Sequence, residues 1–403
     1  MVSTVLNMLF SIGINYYLTK ILEPIQYGNY SFIINIFIFS QTLFNFGLFY
    51  SVCREISLAN DSITIRKFYY AGIIIWLFLS LCMCISLFIY ALNVDSFREK
   101  NILGVFLSIL PLGTVYIFTQ FNELVLQGDN RINLLSISRF FPRLLFFVCL
   151  LSIFFFNIIL DLKTILIIYL STYLIVYALI VHQIRPIASG LKNCIKQILS
   201  TNKTYGFHIY LGSLFAVGVS NFIGIALGLM SPNNETVGFY NIALQISIPL
   251  SLIPNIVSTV LYKRFMTSTI NKKIILILIM VSTVSFILIL IFAKPFIDLI
   301  FGEKYLIAVA LLKYMCLGAL LYGIADFFIK YLVANGYGKE VKKISIIVGI
   351  TSLLIMYPFI YLWSCYGAAL IKVIAGLVYL VVVIYTYNKI LKSKKINREQ
   401  VMQ

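Results

Sequence analysis

Charge is what this chain has little of. Of its 403 residues, 11% are charged and 61% hydrophobic, with a mean hydropathy of +0.99; soluble domains carry about a quarter charged residues. The stretch 72–92 (GIIIWLFLSLCMCISLFIYAL) has no charge at all, which excludes a soluble fold. Histidine is scarcer still. His182 and His208 are the whole complement, and neither has a Ser, Cys or acid cluster beside it, so no constellation for acid–base or nucleophilic catalysis is present and no enzyme is expected. The seven cysteines, Cys53, Cys82, Cys84, Cys149, Cys194, Cys316 and Cys365, form no C-x-x-C pair and no metal-ligand spacing. They read as small apolar fillers. Neither a phosphate-cradling glycine loop nor a cleavable signal peptide pattern occurs, and no cofactor or metal is expected.

The charge that exists is lopsided, with a net +17 from 31 basic and 14 acidic residues. It is scattered over many short loops, which gives no platform for nucleic acid. Between those loops run apolar stretches of roughly twenty residues, the length that crosses a hydrocarbon core. They are continuous rather than alternating, so they span as helices, which satisfy their own backbone polar groups. The expected spans are 1–22, 27–51, 68–92, 101–127, 132–158, 163–182, 206–230, 237–262, 274–301, 304–334, 341–363 and 365–390. With the N-terminus inside, twenty Lys and Arg fall in cytoplasmic loops and span edges, and five (Lys20, Arg98, Lys100, Lys163 and Lys304) fall outside. This bias places both termini in the cytoplasm of a multi-pass protein.

The longest loop, 183–205, separates six spans from six and is basic and weakly amphipathic. A helix lying on an anionic inner leaflet and a solvated linker are equally open readings. The expected organisation is a bundle over 1–182, the linker 183–205, a second bundle over 206–390 and a basic cytoplasmic tail over 391–403. The halves echo one another. Tyr27-Gly28-Asn29-Tyr30 recurs as Val237-Gly238-Phe239-Tyr240, and Arg54 as Arg264, at an offset of 210. Gln127-Gly128-Asp129-Asn130-Arg131 recurs as Asn335-Gly336-Tyr337-Gly338-Lys339, at an offset of 208. Copies six spans apart share one orientation, so the fold class is all-α with about twelve transmembrane helices in two six-helix bundles related by a parallel repeat.

Three motifs carry a resemblance over essentially the whole chain. They are Tyr17-Leu18-Thr19-Lys20-Ile21-Leu22 with Glu23-Pro24-Ile25-Gln26-Tyr27-Gly28-Asn29-Tyr30, then Val237-Gly238-Phe239-Tyr240-Asn241-Ile242-Ala243, and Phe301-Gly302-Glu303-Lys304-Tyr305 leading to Ala308 and Leu311. In their order and spacing the chain resembles the Wzx-type O-antigen flippases of the multidrug/oligosaccharidyl-lipid/polysaccharide exporter superfamily. The resemblance implies a MATE-like, V-shaped pair of six-helix bundles. It also implies export of undecaprenyl-diphosphate-linked oligosaccharide repeats across a bacterial inner membrane, for O antigen and lipopolysaccharide or another surface glycan. A polysaccharide polymerase and a chain-length regulator would be partners beside the membrane lipids. The first span starts almost at Met1, a departure from the family pattern.

Charges inside spans are costly and mark function by default. Arg139 and Arg143 lie four apart on one helical face, with Pro142 between them expected to kink the helix and free the Ser138 carbonyl. Two guanidinium forks aimed at one cavity suit a diphosphate. For Arg139, snorkelling to the interface or pairing with Glu123 is the competing reading. Asp326 and Lys330, also four apart, read first as a structural ion pair and second as a site where Asp326 couples transport to a proton or cation. Lys313 and Lys372 either snorkel or line an outer vestibule for an acidic glycan. For Lys294 and Asp298 the structural reading is stronger. The 27 tyrosines and 33 phenylalanines are taken singly as interface and lipid-facing residues, and Pro249 and Pro254 as helix-bending positions. A polymerase or ligase is the enzyme rival, but its large outer loop is missing. A drug exporter of the same superfamily would need an acidic rather than cationic interior, and a channel would need a pore loop.

Overall fold

In a bilayer each long apolar run has one way to satisfy its backbone, and each becomes a helix. The computed structural model describes residues 2–266 and 268–401, with side chains described over 6–266 and 268–392. The expected tail over 391–403 falls almost entirely outside the described side chains. The chain opens with α1 (Val2–Ile21), α2 (Pro24–Leu43), α3 (Leu48–Leu58), α4 (Ser62–Asn93), α5 (Ser96–Glu99), α6 (Leu103–Gly113), α7 (Val115–Gly128), α8 (Ile132–Phe155) and α9 (Leu162–Ile184). It continues with α10 (Leu191–Thr201), α11 (Phe207–Ser213), α12 (Val219–Met230), α13 (Glu235–Val260), α14 (Tyr262–Phe265), α15 (Lys272–Phe301), α16 (Ile307–Ala334) and α17 (Gly338–Val401).

Among the described residues, nine helical stretches are long and apolar enough to cross a membrane, and the pair α2–α3, bent by 57°, makes a tenth. Two more complete the expected twelve. One is α1, twenty residues long. The other arises because α17 is two spans. It breaks at Ser364 (φ 49°, ψ −125°), and a Cβ on Gly367 would lie 1.9 Å from the Phe359 carbonyl oxygen. Residues eight apart in an unbroken helix would be about 12 Å apart, so the chain reverses there, between the spans expected to meet at 363–365.

The chain forms two compact units, residues 1–225 with 233–238, and 226–232 with 239–403. The division falls inside the seventh apolar run. The segment 183–205 is helical over α10, which buries Cys194 and Ile198 within unit one and exposes Lys192 and Lys196.

The repeat is visible element by element. Asp61 caps α4 by accepting from the Thr64 N–H at 2.7 Å, and Asn271 caps α15 by accepting from the Lys273 N–H at 2.9 Å. These caps are 210 residues apart, as expected. The later echo is shifted. Asn130 (φ 54°) and Gly336 (φ 80°) are the left-handed turn residues, and the flanking bonds Arg131 N–H to Leu126 O and Tyr337 N–H to Leu332 O are both 2.9 Å. The true offset there is 206, because the turn needs a left-handed residue, which Asn supplies as well as Gly, and not an aligned glycine.

Within unit one the helices approach at small residues, the usual solution where lipid offers no hydrophobic drive between helices. A Cβ on Gly113 would lie 2.1 Å from the Phe37 ring, which stacks on Phe106 at 5.7 Å. The motif glycines meet directly. A Cβ on Gly28 would fall 1.9 Å from the Asn234 carbonyl oxygen, and one on Gly238 would fall 3.4 Å from the Gly28 Cα. Beside them the Asn234 amide donates to Asn29 at 2.8 Å and accepts from Lys100 at 3.0 Å. In unit two, α16 is the most enclosed span. Its Phe327 meets Phe265 at 5.5 Å, and its Tyr331 meets Tyr387 at 5.0 Å. By contrast α15, with only 11% of its apolar window buried, presents most of its surface to lipid.

The α2–α3 bend is docked on a π-turn at Asn202–Gly206. Phe46 (φ 46°) and Gly47 (φ 82°) turn the chain. The Asn202 amide donates to the Phe46 carbonyl at 3.1 Å, and Ser51 donates to Asn202 Oδ1 at 3.2 Å. Glu55, only 6% exposed, accepts from Gln197 at 2.6 Å and from the Thr201 hydroxyl. The Arg54 guanidinium lies 4.5 Å from the Tyr205 ring centroid. This joint was not anticipated from the sequence.

Candidate functional site

Arg143 lies on α8, where it faces α1, α7 and α9 within unit one. Pro142 lies inside α8 without ending it, since the helix is continuous from Ile132 to Phe155. The half-buried Arg143 guanidinium donates to the Asn7 carbonyl of α1 at 3.5 Å. It faces the hydroxyls of Tyr116, Tyr169 and Tyr173. These belong to a connected phenol array. Tyr116 and Tyr169 share a hydrogen bond of 3.1 Å, Tyr169 donates to Tyr173 at 3.4 Å, and Tyr177 donates to Thr119 at 2.8 Å. Tyr30 of α2 packs edge-on to Tyr169 at 5.9 Å.

Three of these residues come from one helical stripe, Tyr169, Tyr173 and Tyr177 of α9, spaced four apart as helical geometry requires for a shared face. That spacing was readable in the sequence. Taking tyrosines singly missed it.

Among the described residues no carboxylate lies within ion-pair distance of Arg143. A buried cation without an acid is expensive, and the phenol oxygens and the Asn7 carbonyl offset only part of that cost. Chemically, such an arrangement can receive an anion. A guanidinium grips two oxygens at once, phenol hydroxyls can donate alongside it, and aromatic faces suit sugar rings.

Arg139 does not join this centre. Its Nε is 2.9 Å from Glu123 Oε1, with the side chains 42% and 40% exposed. This contact supports the pairing reading for Arg139: a partner at comparable depth on α7 neutralises it.

In unit two, Asp326 and Lys330 form no ion pair, and Asp326 Oδ1 accepts from the Tyr379 hydroxyl at 2.8 Å. The expected structural pair is corrected. A neighbouring phenol satisfies the carboxylate without burying a second charge. Tyr379 in turn packs on Tyr322 at 5.3 Å. Lys372 is half-buried across Gly318, where a Cβ would come within 2.9 Å of its Cγ. Lys313 is exposed and lies 4.7 Å from the Tyr314 ring centroid. Lys294 and Asp298 are both exposed and, among the described residues, make no ion pair. Among the described residues no group of three His, Cys, Asp or Glu converges as a metal site would require.

Two compact units of membrane-length helices, one of them holding an arginine amid phenols, define a multi-pass helical membrane protein with a MATE-like fold. A multidrug resistance MATE family transporter of the MOP superfamily, solved inward-facing, shares this fold with TM-score 0.71 and 14% identity, over 96% of each chain. The lipid II flippase MurJ, in an inward closed conformation, does so with TM-score 0.72 and 14% identity, over 96% of this chain and 87% of that one. A MOP superfamily transporter from Pyrococcus furiosus gives TM-score 0.56 and 12% identity over 98% of this chain and 94% of that one. No curated protein matches the chain. Residues 1–267 match the family described as polysaccharide biosynthesis protein, and the chain belongs to that family.

Proposed function

We propose that this protein is a flippase for undecaprenyl-diphosphate-linked oligosaccharide repeats, moving them across the bacterial inner membrane for O antigen or another surface polysaccharide. The observation that carries the reading is Arg143, a cation with no acid partner among the described residues, set among tyrosine hydroxyls. A diphosphate supplies the missing counter-charge, the phenols address the sugars, and the polyprenyl tail stays in lipid. Membership of the polysaccharide biosynthesis family supports this substrate class. A lipid II flippase among the structural neighbours is consistent with it.

Transport then exposes the Arg143 site to one membrane face and afterwards to the other, by alternating access. Lys313 and Lys372 are proposed as further contacts for an acidic glycan, and Asp326 as a coupling carboxylate held by Tyr379. Both termini are placed in the cytoplasm by the loop charges. Six spans on either side of 183–205 form the functional halves, and a polymerase and chain-length regulator act next on the product.

The test is genetic and biochemical. Deleting the gene should trap lipid-linked repeats at the cytoplasmic face, and Arg143→Ala should fail to restore surface polysaccharide at normal membrane abundance. Single unpolymerised repeats accumulating at the outer face would point to a polymerase instead.

A further inference from the structure

A second cationic feature of unit one lies apart from Arg143, where α9 ends and α4 begins. There a cleft of about 640 Å³ is lined by Ser62 and Arg66 of α4 and by Leu179, His182 and Arg185 at the end of α9, with no acid in its lining. Its walls are fixed in place. Arg185 adopts the left-handed conformation (φ 53°) that closes α9. The Arg66 Nε donates to the Arg185 carbonyl at 2.5 Å, and the Ile187 N–H donates to the Arg66 carbonyl at 3.1 Å. The connector after α9 is thus stapled to α4 through one residue, which holds two guanidinium groups at the same opening. Among the described residues neither has a carboxylate at ion-pair distance. Asp61, next to Ser62, spends its carboxylate on the Thr64 N–H at 2.7 Å.

The second observation is apolar. Leu179, at the rim of the cleft, is 64% exposed, and Ile175, one turn earlier on the same face of α9, is 55% exposed. A stripe of uncovered hydrocarbon therefore leads into a paired cationic seat. The geometry points to a binding site for an anionic membrane phospholipid, with its phosphodiester oxygens on Arg66 and Arg185 and an acyl chain along Leu179 and Ile175. A soluble phosphate leaves the stripe bare. A zwitterionic lipid finds no acid in the lining for its ammonium. Both features are used together only by an anionic lipid, at a membrane end rich in Lys and Arg.

The experiment is native mass spectrometry of the full chain in detergent, with equal amounts of phosphatidylglycerol and phosphatidylcholine added. The wild-type chain should retain phosphatidylglycerol preferentially. Arg185→Gln keeps the backbone carbonyl that anchors Arg66, and it should lower that retention about fivefold, the factor for one cation near an anionic lipid. Leu179→Ser should also lower it, and a large excess of inorganic phosphate should not displace the lipid. A melting temperature unchanged in both variants establishes that they fold. Equal retention of the two lipids, displacement by inorganic phosphate, or folded variants that retain phosphatidylglycerol as the wild type does would each overturn the assignment. Polysaccharide export does not enter this readout, so the result is independent of the flippase reading.

Discussion

Replacing Glu55 by Ala should loosen α10 from the α2–α3 bend, and the size of the effect follows from what Glu55 holds. Its buried carboxylate accepts from Gln197 at 2.6 Å and from the Thr201 hydroxyl, both on α10. Hydrogen bonds to a charged acceptor are worth about 1.5–3 kcal/mol each. Because the freed donors of α10 can turn to water once the helix lifts, half of the combined value remains, a net loss of about 1.5–3 kcal/mol. That multiplies the open population of α10 by about 10–150. Cys194 reports this opening, since it lies on the packed face of α10 and is 8% exposed. In a chain with the other six cysteines changed to alanine, the rate of thiol labelling at Cys194 should rise by that factor in Glu55→Ala. Glu55→Gln should fall between, because its Oε1 still accepts from Thr201 while its amide meets the Gln197 donor head-on. Labelling within about twofold of the parent for Glu55→Ala would refute the joint, since losing two such bonds cannot be that small.

The glycine contacts make a contrasting pair. Gly28→Ala places a Cβ 1.9 Å from backbone and should destabilise by about 1–3 kcal/mol or more in a thermal melt. Gly104→Ala, with nothing within 4 Å, should be neutral or stabilising. Burial lowers the Lys100 ammonium from its ordinary 10.5 to about 8. Between those values the unfolded chain binds more protons than the folded one, so stability rises with pH across that window, and below about 8 the full penalty applies. The melting temperature of the wild type minus that of Lys100→Met should therefore climb between about pH 8 and 10.5, and a flat difference would contradict it. The half-exposed Arg139–Glu123 pair should show a coupling of about 0.2–1 kcal/mol in a double-mutant cycle, and Arg139→Ala should leave most surface polysaccharide in place.

The frame was legible because its signals are long. Twelve apolar runs and the meeting of two of them at 363–365 could be read from spacing alone, and the structure adds the caps Asp61 and Asn271 at the same offset of 210. The turn echo slipped by two residues because glycines were aligned by identity, whereas the backbone asks only for a left-handed conformation. Arg143 stood out as a charge within an apolar run, but its tyrosines did not, since Tyr is ordinary in such runs and only the stripe at 169, 173 and 177 distinguishes them. Asp326 and Lys330 misled because four-residue spacing predicts pairs on solvated helix surfaces, while inside a bundle the hydroxyl of Tyr379 competes without adding a charge. Glu55 was overlooked because its partners on α10 are more than 140 residues away, and nothing local marks them.

Transport by the purified chain bears most directly on the Arg143 site. Proteoliposomes loaded with fluorescent undecaprenyl-diphosphate-linked oligosaccharide would be followed for appearance of the headgroup at the opposite leaflet, comparing wild type with Arg143→Ala. Truncating one partner of a buried charge-assisted contact costs about 2–5 kcal/mol, so the variant should move substrate at least about thirtyfold more slowly while retaining its melting temperature. Equal rates in the two chains would remove the diphosphate from Arg143 and leave the phenol ring without its proposed role.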